Sequence, residues 1–219
     1  HVRGFAIHGE DYARSYAAHA LLESVSDGSR DLPRRAFELL VDAGVFVEDE
    51  PLELHRTEID EHFSQEALDE ADARADDHDL DDPKRADLTH LETFTIDDAE
   101  TRDRDDALSL EVIDGGFRLG IHIADAGTLV PANGPMDTEA DRRMATLYLP
   151  ERQIQMLPPQ FTYGVGSLDP DQVRFAISLL VQIDDLGEVL DYEITPSLIR
   201  SRAAISYSEV DAAIADDSS

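Results

Sequence analysis

The chain has 219 residues, 42% of them hydrophobic, enough for one large domain or two small ones and more apolar content than a disordered acidic chain carries. Cysteine is absent, which excludes disulfides, thiolate nucleophiles and cysteine-ligated zinc or iron–sulfur centres and makes a cytoplasmic setting the expectation. Asp and Glu total 49 against 18 Lys and Arg, a net charge of −31, with Lys84 the single lysine. Proteins that grip phosphate backbones normally show a basic stripe. Here the global field opposes RNA, although salt screens it beyond a Debye length of roughly 8 Å. An aspartate-heavy, lysine-poor balance is that of a salt-adapted surface, so most of the acids are expected to be a solubilising face. No apolar run is long enough to cross a bilayer, so no membrane partner is expected.

The first part reads as helical. Residues 12–25 are rich in alanine and leucine and end at the breaker of residues 26–33. Asp31 is placed to cap a second helix over 32–43, with Pro33 in its first turn and Gly44 just past its end. A third helical stretch, 58–75, carries Ile59, Phe63 and Leu68 among many acids. Basic residues do not gather on one helix, which favours a helical cap over a winged-helix-like module for residues 1–86. Residues 69–82 hold eight acids and one arginine and read as a solvated linker or a frayed helix end. From Leu91 the period changes to that of strands: 94–96, then 107–113 and 117–125 around the hairpin signal Asp114-Gly115-Gly116. Residues 137–147 read as a helix, and 175–184 with 189–199 as another strand pair. The expected class is α+β, helices first and then a largely antiparallel sheet.

The chemistry is concentrated between residues 95 and 107, TIDDAETRDRDDA, where Asp97, Asp103, Asp105 and Asp106 fall between two strands. Four carboxylates converging at about 6 Å repel by about 3 kcal/mol per pair at an effective dielectric near 20, or roughly 15–20 kcal/mol over six pairs. Convergence is therefore tolerable only with cations present or with some carboxylates protonated. Oxygen ligands alone favour Mg²⁺ or Mn²⁺, and two such ions can hold both the attacking and leaving oxygens of a phosphodiester displacement. The residues alone are as consistent with acids splayed outward on a loop. A calcium loop starting at Asp103 fails on spacing, because Ala107 and Leu108 stand where an oxygen ligand and a glycine are needed.

The stretch DLTHLETFTIDDAETRDRDDALSLE, residues 87–111, resembles the first signature of the RNB family, to which ribonucleases II and R belong. The resemblance continues in order through GFRLGIHIADAG (116–127), TLYLPERQIQMLPPQ (146–160), SLDPDQVRFAIS (167–178) and IRSRAAISYSEV (199–210). It implies 3′-to-5′ hydrolysis of single-stranded RNA to nucleoside 5′-monophosphates with a divalent cation. Asp97, Asp103, Asp105 and Asp106 match the family's metal-associated aspartates, and Asp105 its most activity-critical carboxylate. Tyr148 matches an aromatic near the RNA 3′ end, where stacking contributes about 1–3 kcal/mol per base. Arg200 and Arg202 match a basic strand end, with phosphate contact and acid pairing equally open. His122 reads as a satisfied sheet histidine, and Asp125 as a family position or a turn cap.

The resemblance thins at both ends. Residues 1–86 are helical and acidic where family members often begin with oligonucleotide-binding barrels. The family's domain also runs on past ISYSEV into a helical half that supplies a catalytic arginine. The expectation is therefore the first part of an RNB domain over 87–219, inactive alone, whose partners are single-stranded RNA and the missing C-terminal half. The completed protein is expected to be a monomer. Apolar strand residues such as Ile177, Leu179 and Val181 are expected to lack cover within this chain. The alternative function is a non-catalytic relative that binds RNA or a protein partner.

Overall fold

A computed structural model describes residues 1–25, 31–57, 61–76, 80–149 and 152–217. The breaker at 26–30, the start of the third expected helix at 58–60, residues 77–79 of the acidic stretch, Pro150 and Glu151 of the third motif, and the last two serines lie outside the described residues. The chain divides into two compact units, His1–His62 with Leu147–Ile154, and Phe63–Thr146 with Gln155–Ser219. Among the described residues no helix is long and apolar enough to cross a membrane.

The first unit holds α1 (Val2–His8), α2 (Ser15–Val25), α3 (Leu32–Asp42) and α4 (Leu52–Arg56). Asp31 caps α3 as the sequence predicts, its carboxylate accepting from the Arg34 amide at 3.2 Å, and Gly44 follows the helix at φ 67°. Helix α1 escapes sequence reading because seven residues carry too little periodicity. It is held by tertiary burial of Phe5, Ala6 and Ile7 with Ala18, Leu22, Ala36, Leu40 and Phe46. The hairpin of β5 (Leu147–Tyr148) and β6 (Gln153–Ile154) belongs to this unit. Residues 144–147, expected to be helical, are not: Met144 adopts a left-handed φ of 64° and stops the helix there.

The second unit opens with α5 (Gln65–Asp76), which begins after Ser64, whose hydroxyl accepts from the Ala67 amide at 3.3 Å. Most of the acidic stretch of 69–82 is thus helix. Its buried alanines, Ala67 and Ala71, pack with Met136 of α6 (Pro135–Arg143) and Phe161 of α7 (Pro159–Thr162), while Glu66, Asp69 and Asp72 are exposed and Glu70 accepts from the Met136 amide at 2.8 Å. The strands are β1 (Ala86–Asp87), β2 (Thr93–Asp97), β3 (Asp106–Ile113), β4 (Gly116–Ala124), β7 (Val173–Ile183) and β8 (Val189–Ser206), followed by α8 (Tyr207–Asp217). β2–β3, β3–β4, β4–β7 and β7–β8 are antiparallel. β8 runs seven residues beyond its expected end and pairs in parallel with β2, closing a five-stranded ring. An odd number of strands cannot alternate direction all the way round, so one parallel contact is obligatory. The sequence gives no local sign of that contact, because Phe94 and its partner Ala203 are distant in the chain.

Closure inverts the usual reading of the strand pattern. The bore of a five-stranded ring is too narrow for large side chains. Thr93, Thr95, Ser109, His122, Ser178, Ser197 and Ser201 are buried, beside Ala107, Ala176 and Ile199. Gly120 is fixed by the same crowding, since a Cβ there would collide with the Ser109 hydroxyl and the His122 ring. Apolar residues occupy the outer face in three cross-strand rows: Leu108, Ile121, Leu179 and Ile194; Leu110, Leu119, Val181 and Tyr192; Val112, Phe117, Ile183 and Val189. None of the twelve is charged, in a chain with 31% charged residues. Ile177, outside these rows on the same face, is 36% exposed, while Leu179 and Val181 are half-buried, so cover on that face is incomplete.

His122 is the centre of the interior. Its Nε2 lies 3.0 Å from Ser109 Oγ and its Nδ1 2.6 Å from Ser178 Oγ, which lies 2.6 Å from Ser197 Oγ. Ser197 donates to the Ala176 carbonyl at 3.1 Å. Each hydroxyl has one proton, so counting assigns the rest: Ser178 donates to Ser197, His122 Nδ1–H donates to Ser178, and Nε2 accepts from Ser109. The histidine is a satisfied sheet histidine, as the sequence predicts.

Burial lowers the His122 pKa from 6.5 to about 4. The fold thus favours the neutral ring. Its contribution is fully present above the unfolded value of 6.5 and is lost as pH falls toward 4. The difference corresponds to about 3 kcal/mol. Denaturant titrations between pH 7 and pH 4 should show a stability loss of that order in the parent relative to His122→Gln. Parallel pH profiles of the two proteins would contradict the assignment.

Candidate functional site

Asp97 is the last residue of β2 and, by alternation, shares the inward face of Thr93 and Thr95. Asp105 extends β3 by one residue, its carbonyl accepting from the Ala124 amide at 2.8 Å, and shares the inward parity of Ala107 and Ser109. The closed ring therefore aims both carboxylates at one end of the bore. Asp103 lies in the connecting loop, and Asp106, one residue out of phase, is exposed on the outer parity.

Two of the four carboxyls, those of Asp105 and Asp97, are shifted by their acidic neighbours. The Asp105 carboxyl is pushed up by desolvation and then by Asp103, Asp106 and Asp97. Its residue surface is nonetheless exposed, so the desolvation is partial. The Asp97 carboxyl is also raised, by desolvation first. Thr95 and Arg104 oppose the rise, and Asp106 and Asp103 add to it. The Thr95 hydroxyl is near enough to favour the charged form but outside hydrogen-bond geometry. Thr95 Oγ1 and Asp97 Oδ2 are both buried without a hydrogen-bond partner.

Asp97 also faces a cavity of about 350 Å³ lined by Asp98, Ala99, Arg104, Ala204, Ile205, Ser206 and Glu209. The parallel pairing of β2 with β8 sets Ser206 level with Asp97. There Ser206 and Glu209 form a capping box at the start of α8: the Ser206 amide and hydroxyl donate to Glu209 at 2.8 and 2.7 Å, and the Glu209 amide donates to Ser206 Oγ at 3.3 Å. Ser206-Tyr207-Ser208-Glu209 carries that signal in the sequence, but nothing local relates it to Asp97.

The acidic loop is braced by the Ser167–Asp169 segment. Ser167 Oγ accepts from the Arg104 amide at 3.1 Å and lies 3.2 Å from the Arg102 carbonyl, to which it can donate. The Leu168 amide donates to the Arg104 carbonyl at 2.9 Å, and the Arg104 guanidinium donates to Asp169 at 2.9 Å. Asp125 stands just before the turn at 126–128 and pairs with side chains: although burial works against it, Arg85 at 2.6 Å and the Thr128 hydroxyl at 2.7 Å hold its carboxyl below the usual range.

The expected basic residues lie elsewhere. Arg200 and Arg202 are on the outer parity of β8, do not line the cavity, and Arg202 donates to the Thr89 carbonyl at 3.2 Å. The cation that acts on Asp97 is Arg104, overlooked because it sits inside the run of acids. Tyr148 is on β5 of the first unit, 64% exposed. The oxygen-only donor set and the orphaned Asp97 Oδ2 fit a hard divalent cation in kind. As the side chains stand, no three His, Asp or Glu residues among those described are gathered tightly enough to ligate one ion.

The RNB domain family matches residues 85–219. An uncharacterized ribonuclease of Synechocystis is 39% identical over 175 residues, covering 79% of this chain and 26% of that protein. An Arabidopsis thaliana protein described as the inactive exonuclease DIS3L2 is 43% identical over 125 residues, 57% of this chain and 12% of its own length. Mycoplasma genitalium RNase R, solved with ribose-methylated single-stranded RNA, matches with a TM-score of 0.65 at 29% identity, over 72% of this chain and 25% of that one. The chain thus spans about a quarter or less of these relatives.

Removing one of the mutually repelling carboxylates should stabilise the fold. Asp105→Asn is expected to raise the melting temperature at pH 7 in the absence of divalent cations. The gain should shrink as acid protonates Asp105 in the parent, because its raised pKa places its destabilising effect on the high-pH side. Calorimetry showing a lower melting temperature for Asp105→Asn at pH 7 would contradict the repulsion.

Proposed function

Because the chain belongs to the RNB domain family, we propose that it carries the reacting centre of a metal-dependent 3′-to-5′ exoribonuclease acting on single-stranded RNA and releasing nucleoside 5′-monophosphates. The observation that supports this reading is the placing of Asp97 and Asp105 on inward-facing strand ends at one end of the ring, with Asp103 and Asp106 near enough to raise both carboxyls. These four would hold Mg²⁺ or Mn²⁺. A bound divalent cation supplies charge neutralisation at the phosphodiester and a more acidic attacking water. Asp105 and Asp97 orient inward from strand ends that the hydrogen-bond ladder fixes, and Arg104 with Ser167 steadies the loop between them. Tyr148 is proposed as a stacking surface for a base near the RNA 3′ end. Arg200 and Arg202 are proposed only as contacts to RNA outside the acidic cavity.

The relatives are several times longer than this chain, so activity is proposed for this chain together with further RNB-type polypeptide, working as a monomer in the cytoplasm. The likeness to an Arabidopsis protein described as inactive keeps a second reading in view, a non-catalytic binder of RNA or protein. The carboxylates favour the enzyme, since a binding role gains nothing from their repulsion.

Two measurements test the proposal. Mg²⁺ at a hundredfold its dissociation constant should stabilise the protein by about 2.7 kcal/mol. Within a full-length RNB protein containing this chain, Asp105→Asn should abolish RNA degradation while leaving RNA binding within about twofold, because it removes a proposed cation ligand and no phosphate contact. Normal degradation by that variant would sink the assignment of the reacting centre.

A further inference from the structure

We propose that Arg104 is a positioning residue of the acidic site, a built-in counter-charge that shares the aspartates with the divalent cation and so sets how tightly that cation is held. The inference rests on the proposed cation site. Its ground is the way Arg104 is fastened. Its amide donates to Ser167 Oγ, its carbonyl accepts from Leu168, and its guanidinium is paired to Asp169 at 2.9 Å. Three tethers to one short segment fix the head group with little freedom, its side chain 19% exposed. The residue lines the same cavity as Asp97, Asp98 and Glu209, and its Nε is buried with no hydrogen-bond acceptor.

An arginine needed only to hold the loop has no reason to line the wall that carries Asp97, Asp98 and Glu209. This one leaves a donor unused and presents its charge to Asp97, the carboxylate whose Oδ2 is likewise unpartnered. Arginine keeps its charge at any working pH, so the counter-charge is permanent. It lowers the repulsion among the carboxylates, and by the same electrostatics it opposes a second positive charge arriving among them.

The two roles an arginine could have here predict opposite signs. As a counter-charge, its removal tightens cation binding; as a brace alone, its removal loosens it. Mn²⁺ binding to the 219-residue chain, followed by the loss of the free-ion electron paramagnetic resonance signal, reads the difference. Arg104→Met should tighten Mn²⁺ binding by about tenfold at low salt, the effect of one positive charge about 6 Å from a doubly charged ion at the dielectric constant of water. The gain should narrow as salt is raised. Arg104→Lys should stay near the parent affinity, and Arg104→Gln, which can still donate to Asp169, should tighten like the methionine variant if the latter fails to fold. Unchanged or weaker Mn²⁺ binding in the neutral variants, with the parent binding normally, overturns the inference and leaves the proposed function standing. A parent that binds no Mn²⁺ overturns both.

Discussion

Carboxylates held at one place repel one another, and the second unit meets that repulsion where β2 ends and β3 begins. The ring closes through the parallel contact of β2 with β8, which fixes the register of Asp97 against Ser206. The β3–β4 ladder, continued by the Asp105 carbonyl, fixes the other strand end. Neither carboxylate can retreat along its strand without breaking hydrogen bonds of the ring. What relief the fold provides comes from Arg104, from water at the open end, and from Asp106 facing outward on β3.

The interior of the ring depends on the same closure. A narrow bore admits alanine, serine, threonine, one histidine and Ile199, and the hydroxyls of Ser109, Ser178 and Ser197 with the imidazole form a chain in which every proton has an assigned acceptor. Buried polar groups cost free energy when unpaired and specify geometry when paired. Here the paired set lies at His122, Ser109, Ser178 and Ser197, and the unpaired oxygens lie at Thr95 and Asp97, toward the acidic end. Rigidity along the bore and unmet polarity at its mouth are what a pre-organised charge site requires.

Much of this was legible in residues and some of it could not be. The Asp31 cap, the hairpin at Gly115 and Gly116, and the acidic loop between two strands follow from local chemistry, and the structure has them. The alternation of Ile121 and Ile123 with His122 is also correct in period. Which face is inside is decided by ring size, and ring size is set by the pairing of β8 with β2, a contact between distant parts of the chain. The same distance hides the nearness of Ser206 and Glu209 to Asp97. Arg200-Ser201-Arg202 reads as the end of a strand because charge interrupts the apolar run. In the structure Ser201 is buried, the arginines point outward, and β8 continues to Ser206. The helix expected over 58–75 is present as α5, and Ala67 and Ala71 bury its inner side, which a count of acids does not show.

The proposed function requires the aspartates at the end of this ring to form a single cation site. Anomalous diffraction at the manganese edge from crystals grown with Mn²⁺ tests it most directly. The account predicts at least one anomalous peak about 2.1 Å from carboxylate oxygens of both Asp97 and Asp105. Manganese bound only elsewhere on the acidic surface, with these two carboxylates turned apart, would contradict it.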